Sequence, residues 1–144
     1  MKIVIEEPRE DEEEQIVIRC RVMTPELLRV VSQLKAQEAL LAYSGSEIHR
    51  LKPSAVYYIE SVDNKTFLYL KDKVYESKQK LYELEEILAA GDFLRVSKSV
   101  IANIAKIKSV SPALNGRFEA LLENGEKVII SRQYTIDLKK RLGI

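Results

Sequence analysis

The sequence is poor in the residues that most site chemistry needs. Among 144 residues there is one cysteine, Cys20, and one histidine, His49. One thiol excludes an intramolecular disulfide, and a Cys/His metal site lacks spaced partners. Cys20, in "IVIRCRV", reads as a buried structural thiol, and His49, in "EIHRL", as a strand residue without chemistry. The five glycines are scattered singly, so there is no glycine-rich phosphate loop, and GxSxG, HExxH and CxxC patterns are all missing. Acid pairs such as Glu85-Glu86 sit among alternating charges, as on a solvated helix face. The expectation is a protein that is not an enzyme, with no catalytic residue, metal, cofactor or small-molecule substrate. No apolar run approaches the ~20 residues that span a bilayer. Acids follow Met1 too soon for a signal peptide, so a soluble cytoplasmic protein is expected.

What is present is a core-forming composition, 46% hydrophobic, and an uneven charge. The length suits one domain, or a small domain with an appendage. The formal charge of +1 conceals seven acids against two bases in residues 1–15, eleven of each in 16–92, and ten bases against four acids in 93–144. The last third therefore carries +6 and is a candidate anion-binding face, while the acidic stretch "EEPREDEEE" is a candidate competitor for it.

Residues 3–7, "IVIEE", read as a short strand, and alternation predicts a second at 16–22, followed by a helix over "PELLRVVSQLKAQ" with Thr24 as N-cap and Pro25 at its first position. Residues 1–38 thus form a strand-strand-helix (β-β-α) segment that needs cover from the rest of the chain or from a partner. From Ala39 onward, short β-forming runs alternate with turn signals. "ALLAY" and "EIHRL" flank "SGS", "AVYYIES" and "TFLYLKD" flank "VDNK", and "KVYES" follows. Ser77 reads as the cap of a helix whose stripe is Leu81, Leu84 and Leu88, with Gly91 as its stop. "FLRV" and "KIKSV" are further strands, and Asn124-Gly125 is a two-residue hairpin signal between "RFEALLE" and "KVIIS". Ser131 reads as the cap of a last helix that carries Ile136 and Leu138. The sum is a β-rich α+β protein with two or three helices, without the βαβ series of a doubly wound sheet.

The stretch "RVSKSVIAN" places Ser97, Lys98 and Ser99 inside an apolar run. Read as a helix start, it has Ser97 as N-cap and Val100, Ile101 and Ile104 facing inward, so that its first N–H groups and Lys98 face an anion. "SRQY" repeats the design with Ser131 and Arg132. A cation opposes the helix dipole at such a position, which points to a ligand. Asn64-Lys65 forms a third polar tip. Tyr57, Tyr58, Phe67 and Tyr69 are the aromatics an RNA-stacking sheet would use, and read here as core.

Taken in order, "VYYIESVDNKTFLYL", "SKQKLYELEEIL", "FLRVSKSVIAN" and "NGRFEALLENGEKVIISRQY" resemble the LytTR family of bacterial DNA-binding domains over residues 39–144. The resemblance implies a LytTR-like set of short antiparallel strands, and a stand-alone transcriptional regulator that reads duplex DNA through loops, without a receiver domain. Its DNA contacts carry over to Asn64, Lys65, Ser97, Lys98, Ser99 and Arg132, with Asn103, Ser131 and Tyr134 as structural neighbours. Ser97 stands where histidine is common in the family. Lys98 stands where Arg or Asn is common and lacks the planar fork that reads guanine, so a phosphate is its expected partner. A homodimer on two half-sites, built through residues 1–38, and a small membrane-protein regulator are the further partners implied. The alternatives are a protein-interaction module and an RNA-binding domain, each using the basic face.

Overall fold

The computed structural model describes residues 2–35 and 39–144. From Leu40 onward the chain builds two antiparallel sheets. The larger has seven strands: β1 (Leu40–Ser44), β2 (Glu47–Leu51), β3 (Tyr58–Val62), β4 (Lys65–Tyr69), β5 (Val74–Ser77), β6 (Phe93–Arg95) and β7 (Val100–Asn103). Their order across the sheet is β2-β1-β5-β4-β3-β7-β6. The smaller sheet is β10-β9-β8, made of β8 (Ile107–Pro112), β9 (Phe118–Leu122) and β10 (Lys127–Ile130). Three α-helices complete the described residues: α1 (Pro25–Lys35), α2 (Leu81–Leu88) and α3 (Thr135–Leu142).

The period-2 pattern decides which face each strand residue serves. Ile59 pairs with Ile101 and Tyr58 with Ala102, so neighbouring pairs face opposite sides. Ile59, Leu68, Ile101 and Phe93 meet Leu81, Leu84 and Leu88 of α2 in one core. On the other side, Tyr57, Val96 and Ala102 meet Ala120, Leu122, Val128 and Ile130 of the small sheet and Leu138 of α3. Tyr58 and Tyr69 stack at a centroid distance of 4.2 Å, nearly parallel. Strands β3 and β7 are thus the shared wall of two cores.

Several local expectations change. The expected strands at 3–7 and 16–22 do not form: neither stretch joins a ladder, and residues 21 and 22 lie in a bend. A strand needs a partner for its N–H and C=O groups, and no described strand supplies one here. Cys20 is accordingly exposed, not buried. The helix after it does start as read, with Thr24 Oγ1 accepting from the Leu27 amide at 3.3 Å. It is described as far as Lys35, and its expected last residues, 36 and 37, lie outside the described residues, as does the boundary at 38. Ser77 ends β5 and is no helix cap. Its Oγ accepts from the Gln79 amide at 3.1 Å, and α2 starts four residues later, where the Lys80 amide donates to Glu83 Oε1. Ile136 faces solvent, while Leu138 is buried. His49 is a strand residue, with Nε2 3.1 Å from Glu47 Oε2 and its ring 4.9 Å from Tyr75.

The two hairpin signals exchange roles. Asp63 and Asn64 both have positive φ (49° and 64°), the backbone of a two-residue type I′ turn. In the β9–β10 turn Asn124 does not. There the Leu122 amide donates to the Glu126 carbonyl at 2.8 Å, the Gly125 amide to Leu122 at 3.0 Å, and only Gly125 is left-handed, at φ 87°. That is a three-residue turn closed by a glycine bulge.

Candidate nucleic-acid interface

The "SKS" triplet is a strand-to-strand turn, not a helix start. The amides of Val96 and Ser97 both donate to the Val100 carbonyl, at 3.0 and 3.3 Å, and β7 begins at once. No helix dipole therefore acts at Ser97. Its Oγ instead accepts from the Ser99 amide at 3.3 Å, and Lys98 stands exposed at the crest. Ser131 also makes no side-chain cap. It precedes a short 3-10 turn, Arg132–Tyr134, and its carbonyl accepts from the Tyr134 amide (3.0 Å) and from Thr135 Oγ1 (3.2 Å). Its own Oγ is buried without a partner.

Backbone hydrogen bonds tie these turns into one chain. The Ser61 amide, at the end of β3, donates to the Ser99 carbonyl at 2.9 Å. The Ser131 amide donates to the Val96 carbonyl at 2.8 Å, setting Arg132 next to the 97–99 turn. Arg132 lies in turn against Gly116, whose φ is 74° and which has no Cβ to obstruct the arginine stem. The β3–β4 tip, the 97–99 turn, Arg132 and the turn at 113–117 are therefore linked side by side. The tip residues are Asp63 and Asn64. Lys65 is the first residue of β4, exposed and paired with Val62.

The 113–117 turn escaped sequence reasoning as part of this group. It holds Asn115 at φ 61°, exposed Leu114 and Arg117, and joins Arg132 through Gly116. A signal was present in "LNG", where Asn and Gly both tolerate positive φ. The approach to Arg132, sixteen positions later, is made by the β9–β10 hairpin and is not local.

Lys65, Lys98 and Arg132 join none of the ion pairs among the described residues, which are Arg95–Glu85 and Lys127–Glu119, both at 3.3 Å, and the His49–Glu47 contact. Asn103 serves the backbone. Buried at 2% exposure, its Nδ2 donates to the Val56 carbonyl at 2.8 Å and its Oδ1 accepts from the Ala105 amide at 3.0 Å. Tyr134 is half-buried and packs on the core of the small sheet. Of the four aromatics named above, Tyr57 is buried, Tyr58 and Tyr69 are half-buried and stacked on each other, and Phe67 is half-buried. Burial pushes the Tyr58 phenol well above its ordinary value, aided by a hydrogen bond and the charge of Glu126; Tyr69 is raised by burial, then by Glu60 and Glu126.

The strand-built scaffold thus sets these turns, with Lys98 and Arg132 on them and Lys65 beside them, next to one another. The LytTr DNA-binding domain model matches residues 46–143, and the chain belongs to that family. A solved LytTr DNA-binding domain from Bacillus cereus is similar at a TM-score of 0.70 and 28% identity, covering 74% of this chain and 98% of that one. The sensory transduction protein LytT of Enterococcus faecalis is 27% identical over 138 residues, 92% of this chain and 57% of that protein. LytT of Bacillus anthracis is 35% identical over 89 residues, 62% of this chain and 36% of its own length. An uncharacterised HTH-type transcriptional regulator of Staphylococcus aureus is 29% identical over 118 residues, covering 82% and 80%. The chain thus spans between a third and three fifths of the two LytT proteins. No described helix is long and apolar enough to cross a membrane.

Proposed function

We propose that the chain is a transcriptional regulator that binds specific duplex DNA in the cytoplasm through the turns around Asn64-Lys65, Ser97–Ser99 and Arg132. The observation that supports this reading is the hydrogen-bonded succession Ser61–Ser99 and Val96–Ser131, which gathers turns bearing unpaired cations. Lys98 neutralises a phosphate, phosphate contacts set register, and Arg132, with its planar fork, and the Asn64-Lys65 loop read base edges. Three or four neutralised phosphates per protomer give a slope of about −3 to −4 in a plot of log affinity against log salt, at ~0.9 per contact. A gel-shift titration over salt tests this. An affinity indifferent to salt rules it out, and parallel titrations with single strands and RNA check the choice of duplex.

The same proposal includes a homodimer on two half-sites. Its support is the apolar surface ahead of β1: Ile3, Ile5, Ile16 and Val22 are exposed, Leu28 and Leu34 of α1 are only partly covered, and among the described residues none before Leu40 enters either core. A small membrane protein is the competing occupant of this surface. Sedimentation of the whole chain against one beginning at Ala39 decides; an unchanged association state removes the dimer.

A further inference from the structure

We propose that Arg95 is a positioning residue for DNA recognition: it holds the backbone of the 97–99 turn in its binding form and touches no DNA itself. The proposal rests on the DNA-binding reading above. It starts from three bonds made by one guanidinium. Arg95 Nε donates to the Ser97 carbonyl at 2.7 Å, Nη2 donates to the Lys98 carbonyl, and Nη1 meets Glu85 Oε2 at 3.3 Å.

The placement follows from the sheet. Arg95 ends β6 opposite Ile101, whose side chain points into the core under α2. Arg95 therefore emerges on the α2 side, where Glu85 on the helix meets it. The carbonyls of Ser97 and Lys98 are drawn to that side as well. A carbonyl oxygen facing a phosphate would repel it, so binding both oxygens to a cation behind the turn removes that opposition. What remains on the crest is the Lys98 ammonium and the serine hydroxyls. Two successive carbonyls suit a planar fork with donors at fixed spacing, whereas an ammonium is a single point of charge. The Glu85 contact is half-exposed, so its effect is to orient the guanidinium and not to add much energy.

The test compares Arg95→Lys, which keeps the charge and loses the fork, with Lys98→Ala, which removes the cation that the turn presents. First, amide hydrogen exchange is measured on the full chain without DNA. Exchange at Ser97 and Ser99 should rise about tenfold in Arg95→Lys, as the carbonyl bonds are lost. The Asn103 amide, bonded to the Tyr57 carbonyl at 2.9 Å, should keep its protection and so report an intact fold. Second, affinity is measured for a short duplex recovered by the wild-type chain from a random pool. Arg95→Lys should bind it about tenfold more weakly, yet cost little further on the Lys98→Ala background, because both changes act through one turn. Unaltered exchange in the turn overturns the assignment, and so does an equal loss of affinity on both backgrounds. A pool from which the wild-type chain recovers no duplex defeats the DNA-binding reading instead, while the exchange measurement still decides whether Arg95 fixes the turn.

Discussion

Gly116 lies flat against the stem of Arg132: a Cβ at position 116 would stand 3.3 Å from Arg132 Cγ. The two positions are sixteen apart in sequence and meet because the β9–β10 hairpin folds the chain back. Gly116 is also left-handed, at φ 74°, so two separate demands exclude a side chain there.

Gly116→Ala should therefore lower stability by about 1–2 kcal/mol from backbone strain alone. It should also weaken DNA binding, because the new methyl pushes the Arg132 stem aside. Thermal melting and gel shift read the two effects separately. Normal binding by a destabilised Gly116→Ala chain would mean that the arginine's placement does not depend on this contact.

Arg132→Ala should cost about 1–3 kcal/mol in binding to the preferred duplex. The residue is exposed, so its removal should change stability by no more than ~0.5 kcal/mol. Normal binding with easy unfolding would reveal a structural role instead.

Asn103→Ala should give the opposite result. Its side-chain amide donates to the carbonyl of buried Val56 and accepts from the Ala105 amide at the surface; the truncation removes both bonds and deprives the Val56 carbonyl of this partner inside the fold. Denaturant unfolding should show a loss of about 2–4 kcal/mol. The fraction that remains folded should bind DNA with unchanged affinity.

The tyrosine stack sets an alkaline limit. Tyr58 and Tyr69 hold their protons more tightly folded than unfolded, through burial first. Above pH 10, the ordinary tyrosine value, the unfolded chain binds fewer protons than the folded one. Stability is then full below pH 10 and falls as pH rises. Melting followed between pH 9 and 11 should show this decline, and Tyr58→Phe should flatten it.

Much of this arrangement is legible from residues. β-forming runs between turn signals locate every strand from β1 to β10 except β7, which reads as a helix start, and the leucine stripe locates α2. The "SKS" triplet misleads because serine serves helix caps and turns equally well. The β-forming runs on both sides, "FLRV" and "VIAN", decide for a turn. Residues 16–22 carry strand periodicity, but periodicity describes a face and not a partner. Sequence order likewise names Lys98 and Arg132 as site residues without revealing Gly116 beneath one or Arg95 behind the other. Those neighbours are supplied by ladders between distant strands.

The Ser61–Ser99 bond has a consequence for how a complex would form. It fastens the β3–β4 tip and the 97–99 turn to adjacent rungs of one sheet, so neither is a free tether that must be ordered on contact. Association through these turns then resembles the docking of a shaped solid. Calorimetry of the turn variants should find most of the difference in bonding enthalpy and counterion release, and little in the freezing of loop motion.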